Sequence, residues 1–507
     1  MMIARPSVIV ALAFGVALPI ATTTLRGQQA DVITAEKPVE AVALSFASVF
    51  TDHMVLQRDR PLPVWGKAAP GAEISVQIGG EAKTATAQAD GRWRVTVGPL
   101  KTSRDPIELA VASGDQSVRL TDVLVGDVWV ASGQSNMEMY VSMSKDAEQE
   151  IAAAQWPQIR ILEVPNTAAD EPADSFPSAA WKPVTPETIP PFSAVAYFFG
   201  RELHEHLDVP IGLISCDLGA TAMEAWTRRD VLESSPTFKQ ATADSFAMPL
   251  MIEDPVEYKR IQYYLPSRLY NGMIAPVIPY GIRGAIWYQG ESNSGRPQQY
   301  VELSKLMIAD WRKQWGQGDF PFLLVQLAAF ETTADNDWAP IREAQFETLS
   351  LPNTGMAVAI DVGDRTDIHP KDKQSVGKRL ALAARRVAYG EDLVYSGPVF
   401  SKLETKGGKA WLSFDHVGGG LNADGELRGF EIAGADAKFV PATATIDGER
   451  VVAFSDAVAD PKAVRYSWTS YPDGNLFNAE GLPAVPFRTS KMEPATKPDA
   501  TAAASGQ

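Results

Sequence analysis

At 507 residues the chain is longer than one hydrophobic core usually supports, so two or three domains are expected. With 45% hydrophobic and 21% charged residues, twelve Trp and twenty Phe, its composition is that of a folded protein and excludes wholesale disorder. A formal net charge of -16 opposes the counterion release on which nucleic-acid binding depends, so no nucleic-acid partner is expected.

Residues 1–30 read as an export signal: Arg5 supplies positive charge, Ser7 to Ile20 is apolar, and a polar stretch with small residues leads to a cleavage point near Ala30. The expected location is therefore periplasmic or extracellular. The apolar stretch falls short of the roughly 20 residues of a membrane span, so the mature chain is expected not to be membrane-embedded; an uncleaved amino-terminal anchor is the alternative. Cys216 is the sole cysteine, which rules out an intramolecular disulfide, and its apolar neighbours predict a buried thiol.

Residues 44–122 carry short alternating stretches, among them Glu73 to Ile78 and Trp93 to Val97, divided by the turn pairs Pro70-Gly71 and Asp90-Gly91. That spacing predicts a small antiparallel sandwich. Over 123–390 the rhythm changes. Strand-length apolar runs (Val125 to Ala131, Ile211 to Cys216, Gly284 to Gln289, Phe322 to Gln326, Met356 to Asp361) alternate with helix-period segments such as Phe192 to Leu203, Tyr300 to Trp315 and Lys373 to Val387. This pattern predicts an α/β domain, a parallel sheet covered by helices on both faces, with ligands bound at the carboxyl ends of the strands. Alternation returns over 394–489, with Ala410 to Phe414, Val451 to Phe454 and Val464 to Trp468 as candidate strands, so a second β region is expected. Residues 491–507, rich in Ala, Thr, Pro and Ser, predict a disordered tail.

The reactive residues fall at predicted strand ends. Gly133-Gln134-Ser135-Asn136-Met137 follows the run ending near Ala131, which puts Ser135 at the carboxyl edge of the sheet; the same serine is also suited simply to capping a helix. The run from Met356 leads into a loop with carboxylates at 361, 364 and 367 and then His369, where an imidazole held by an acid would suit a general base. His204 and His206, about 200° apart on one helix, cannot chelate one metal, and the carboxylates lack the alternation of a calcium loop, so no metal is expected. Gly219 and Gln289 close two further strands, where a backbone amide and a side-chain amide are able to meet a developing oxyanion.

Taken together, Gly133-Gln134-Ser135-Asn136-Met137, Trp287-Tyr288-Gln289-Gly290-Glu291-Ser292-Asn293 and Asp367-Ile368-His369-Pro370 resemble the sialate O-acetylesterase family of the SGNH-hydrolase superfamily. Met54-Val55-Leu56-Gln57, Pro63-Val64-Trp65-Gly66, Gly126-Asp127-Val128-Trp129 and Pro486-Phe487-Arg488-Thr489 extend the resemblance over nearly the whole mature chain. It implies a three-layer α/β/α (flavodoxin-like) SGNH-hydrolase domain flanked by β-sandwich-like accessory regions. It also implies Ser135 as nucleophile, His369 as general base, and the amides of Ser135 and Gly219 with the Gln289 side chain as oxyanion donors. Two positions depart from the family pattern: Ala220 stands where a second glycine is common, and Thr366 stands three residues before the histidine, where the superfamily usually has its acid. Asp367 is the first candidate for the acid, Glu291 the second and Asp364 the third, with a dyad held by a backbone carbonyl as a further possibility.

The implied activity is a serine esterase, free of cofactor, that removes O-acetyl groups from sugars through an acetyl-serine intermediate. O-acetylated sialic acid is the family expectation, acetylated xylan or another polysaccharide the enzymatic rival, and a catalytically inert carbohydrate-binding protein the alternative of another class. Trp226 and Tyr288 are candidates for stacking on a sugar, and Arg228 or Arg229 for holding a sialate carboxylate.

Overall fold

The computed structural model describes residues 42–247, 252, 254–333 and 336–490. The expected export signal and the expected tail lie outside these residues. Among them no helix is long and apolar enough to cross a membrane.

The central sheet runs in the order Lys182–Val184, Trp156–Glu163, Ile211–Asp217, Gln116–Gly133, Gly284–Tyr288, Phe322–Gln326, Thr354–Val358. All neighbours pair in parallel except the edge strand Lys182–Val184. These strands are nearly continuous in apolar residues because both faces are covered. On one face Trp129 meets Phe199 of the helix Ala194–Leu207, which packs against the helix Lys373–Val387; on the other, Trp287 meets Trp311 of the helix Pro297–Trp315. The fold class is thus the three-layer α/β arrangement with additional β regions that the residue pattern predicts.

The strand Trp156–Glu163 was not visible in the apolar pattern. Its run is broken by Pro157, Gln158 and Arg160, and Arg160 is buried because it pairs with Asp122 through two guanidinium nitrogens. The loop after Thr354–Val358 also differs from expectation: residues Ile360–Val362 form a single 3-10 turn, not the end of the strand.

The boundary expected near residue 122 falls inside one strand. Gln116–Gly133 pairs in its first half with Ser103–Ser113 and with Val55–Gln57, and in its second half with the catalytic-sheet strands on both sides. One apolar core accordingly runs from Leu44 to Ala384, while residues 410–487 hold a second core. Two buried charged side chains reinforce these junctions. Asp127 accepts hydrogen bonds from Arg58 (2.8 Å), Arg283 (2.9 Å), Gln57 (2.8 Å) and Tyr389 (3.0 Å). Arg342, fully buried, donates to the carbonyls of Leu327, Ala328, Thr469 and Ser470, which ties the second β region to the end of the strand Phe322–Gln326.

Burial pushes the Asp127 carboxyl up, but the Arg58 hydrogen bond and the Arg283 and Arg58 charges outweigh it, so the group is held below its ordinary value. Asp127→Ala takes the shared carboxylate from Arg58 and Arg283, and a loss of roughly 3–5 kcal/mol in urea unfolding is expected. In the native protein this contribution is present above the usual carboxylate range and disappears as pH falls through the lowered Asp127 value.

Candidate active site

Ser135 is placed by backbone geometry. At Gly133 φ is 143°, and a Cβ there would lie 2.1 Å from the carbonyl of Tyr288, so only glycine lets the two strand ends approach this closely. Gln134 N–H then donates to Tyr288 O at 3.0 Å and Leu218 N–H to Gly133 O at 3.2 Å, so three strand ends close around the turn. Ser135 is the first residue of the short helix Ser135–Glu138, where the amide has no intrahelical acceptor.

His369 Nε2 lies 2.8 Å from Ser135 Oγ, a hydrogen bond between positions 234 residues apart. The carboxylate that faces the other ring nitrogen is Asp367, with Oδ1 3.5 Å from Nδ1 and 2.9 Å from the backbone N–H of His369, which donates to it. Asp364 instead accepts from the amides of Thr366 and Asp367 and so shapes the turn. Glu291 makes no contact with the ring: its Oε1 accepts from Asn136 Nδ2 at 2.6 Å. Asp361 is paired with Arg379. Burial, and then the charge of Lys373, lower the basicity of His369, while Asp367 partly restores it. Among the described residues no group of His, Cys, Asp or Glu is arranged to hold a metal ion.

The expected oxyanion donors stand differently from one another. Gly219 sits beside the nucleophile, since a Cβ on it would be 3.3 Å from Ser135 Cβ, yet its N–H donates to Glu138 Oε2 at 2.7 Å. Gln289 is buried, and its amide donates to Asn293 Oδ1 at 2.7 Å and to Thr221 O at 3.2 Å. Two of the three donors are therefore engaged within the protein, because an unpaired strand-end amide takes the nearest carboxylate and a buried side-chain amide takes the nearest acceptors. A substrate oxygen would have to displace Glu138 to reach the Gly219 amide. Ala220 holds φ at 59°, a left-handed conformation that costs a residue with a Cβ roughly 1–2 kcal/mol and a glycine almost nothing, consistent with the glycine usual there in the resembling family.

Comparison with known proteins places the chain in a family. Residues 125–386 match the family described as carbohydrate esterase, sialic acid-specific acetylesterase. The chain is similar to the sialate O-acetylesterase of Mus musculus (31% identity over 90% of this chain and 94% of that protein) and to that of Homo sapiens (32%, over 88% and 92%). Its fold matches the crystal structure of a carbohydrate acetylesterase from Xanthomonas citri with a TM-score of 0.80 and 42% identity, covering 88% of this chain and all of that one. The chain belongs to the sialic acid-specific acetylesterase family of carbohydrate esterases.

The substrate-facing residues expected for this family member need correction. Trp226 is fully buried, donates through Nε1 to Thr221 Oγ1 and packs edge-on against Trp287; Tyr288 is fully buried as well. Neither ring presents a face to solvent, so both pack the core and neither is available to stack on a sugar. Arg228 pairs with Asp230 and Asp310, and Arg229 with Glu233, so both cations are already neutralised. Near Ser135 stand two carboxyl groups that burial raises: Glu138 on the Gly219 amide, and beyond it the buried Asp217, which accepts from the Ser215 hydroxyl. Burial pushes the Asp217 carboxyl up to about 7, with the Ser215 hydrogen bond opposing and the Glu138 charge adding to the shift.

Four polar residues that sequence reasoning gave no role now belong to the site: Asn136, Glu138, Asn293 and Lys373. Of these only Lys373 carried a usable signal, as a lysine in the apolar stripe shared with Val376, Gly377 and Leu380.

In this esterase the acid limb of kcat/KM should have its midpoint below the ordinary histidine value, since activity needs the unprotonated imidazole and the native site disfavours the imidazolium. Asp367→Asn should lower kcat roughly tenfold or more with little change in KM and move that limb further down. A pH profile and rate equal to wild type would remove Asp367 from the acid's role.

Proposed function

We propose that the protein hydrolyses O-acetyl groups on sugars through an acetyl-enzyme, with Ser135 as nucleophile, His369 as general base and Asp367 as the acid that orients the imidazole. The observation that carries this reading is the 2.8 Å contact between Ser135 Oγ and His369 Nε2 at the carboxyl edge of a parallel sheet. A serine hydroxyl is a poor nucleophile near neutral pH, and a base within hydrogen-bond reach removes its proton as it attacks the acetyl carbonyl. The negative charge on the tetrahedral oxygen is met first by the Ser135 amide and then, once the Glu138 carboxylate has moved aside, by the Gly219 amide. A donor so placed is worth about 3–4 kcal/mol. His369 returns the proton to the departing sugar oxygen, and water repeats the sequence to release acetate. The reading includes export of the chain, on the strength of residues 1–30.

O-acetylated sialic acid is the first substrate by family membership. A second reading, an acetylated neutral polysaccharide, is favoured by one observation: Glu138 lies on the Gly219 amide beside Ser135 while Arg228 and Arg229 are already paired with carboxylates, an arrangement in which neither guanidinium is offered to a sialate carboxylate and a neutral sugar needs none.

Ser135→Ala and His369→Ala are each expected to lose about a thousandfold or more in acetate release from 4-nitrophenyl acetate while keeping the wild-type melting temperature. Equal, near-zero rates in wild type and Ser135→Ala would replace the esterase with a binding protein. A panel of acetylated sialosides and acetylated xylo-oligosaccharides, read by free acetate, separates the two substrate classes.

A further inference from the structure

Behind the serine and histidine lies a polar chain that the mechanism above does not use. Lys373, at the start of the helix Lys373–Val387, is fully buried, and its ammonium donates to Asn136 Oδ1 at 2.5 Å while lying 5.3 Å over the Tyr288 ring. Asn136, also buried, spends its amide N–H groups on Glu291 Oε1 at 2.6 Å and on the carbonyl of Ile368 at 3.0 Å. The other oxygen of Glu291 is buried and makes no hydrogen bond. Each partner of Asn136 fits one end of its amide: a cation on the oxygen, a carboxylate and a carbonyl on the nitrogen. The residue next to the nucleophile is thereby bonded to the residue next to the base.

We propose, on the reading of Ser135 and His369 given above, that Lys373, Asn136 and Glu291 are positioning residues of the esterase. Asn136 locks the Ile368–His369 backbone to the Ser135 turn, and the buried charges of Lys373 and Glu291 orient Asn136 and set the field at the imidazole. A buried cation and carboxylate linked through one amide are costly to desolvate, and a purely apolar filling of this space would be at least as stable, so the arrangement serves placement and charge. Burial pushes Lys373 down to about 7, against the raising influence of Glu291, Asp367 and Asp372. Burial likewise raises Glu291, with the Asn136 hydrogen bond and the Lys373 charge opposing. Around His369 the charged neighbours are Lys373, which disfavours the imidazolium, and Asp367, which favours it.

The direction of the pH shift makes the idea testable. Removing the cation in Lys373→Met stabilises the imidazolium, so the acid limb moves to higher pH; Glu291→Gln, which keeps an acceptor for Asn136, takes away the anion that supports the Lys373 cation and so moves the limb in the same direction by less. Shifts of roughly 0.5–1 pH unit are expected. Asn136→Ala should lower kcat about tenfold or more with KM nearly unchanged and a smaller displacement of the limb.

The readouts are kcat and KM for 4-nitrophenyl acetate from pH 5 to 9, and the rate at which a fluorophosphonate inactivates Ser135 over the same range. Limbs that coincide with wild type in both charge variants, or that move to lower pH, overturn the proposal even if the rates fall. Should Lys373→Met not fold, the near-isosteric Glu291→Gln decides alone: an upward shift supports the proposal and an unmoved or lowered limb overturns it. Failure of the esterase reading has a separate signature, a wild-type protein that neither hydrolyses the ester nor reacts at Ser135, and it takes this proposal with it.

Discussion

The hydrogen bond from Ser135 to His369 holds only as well as the segments that carry its two ends. The serine end is rigid, because Gly133, Gln134 and Leu218 are bonded into three adjacent strands. The histidine end is a loop between the strand Thr354–Val358 and the helix Lys373–Val387, and its position depends on how that helix lies. Gly377 lets the helix settle against Ala194–Leu207, where a Cβ would be 2.6 Å from Phe198 Cβ. Closing a loop of more than two hundred residues adds only a slowly growing entropic cost, so chain separation is less of an obstacle than imprecise docking, and catalysis is sensitive to errors of about 1 Å.

Charge is distributed unevenly around the nucleophile. On the histidine side lies the buried cation Lys373; on the Gly219 side lie Glu138 and the buried Asp217. The cation disfavours the imidazolium form of His369, while Glu138 alone occupies the Gly219 amide.

The β regions are continuous with the site and are not appendages to it. The strand that delivers Ser135 begins in the amino-terminal β region, and Asp127 fastens the crossing point with donors from three other segments. At the opposite side, Arg342 binds carbonyls of the second β region while Gln345, one turn further along the same helix, donates to the carbonyl of Gln289. Burial lowers Arg342 to about 9, which shows how fully this guanidinium has exchanged water for backbone carbonyls.

By itself the sequence determined the layered α/β architecture, the helix Lys373–Val387 to the residue with His369 on the loop before it, and the strand ends beside which Ser135, Gly219 and Gln289 stand, because apolar periodicity and the residues that interrupt it are local properties of the chain. It did not reveal the strand Trp156–Glu163, whose buried Arg160 is satisfied by Asp122 and by the carbonyls of Pro157 and His53, nor the burial of Trp226 and Tyr288, which reads the same in sequence as exposure on a sugar platform. Only the tertiary structure decided which carboxylate faces the imidazole, that Glu138 covers the Gly219 amide, and that Lys373, Asn136 and Glu291 meet behind the site. Each of these depends on hydrogen bonds between groups far apart in the chain, whose partners are fixed by how helices and strands dock and leave no imprint on spacing.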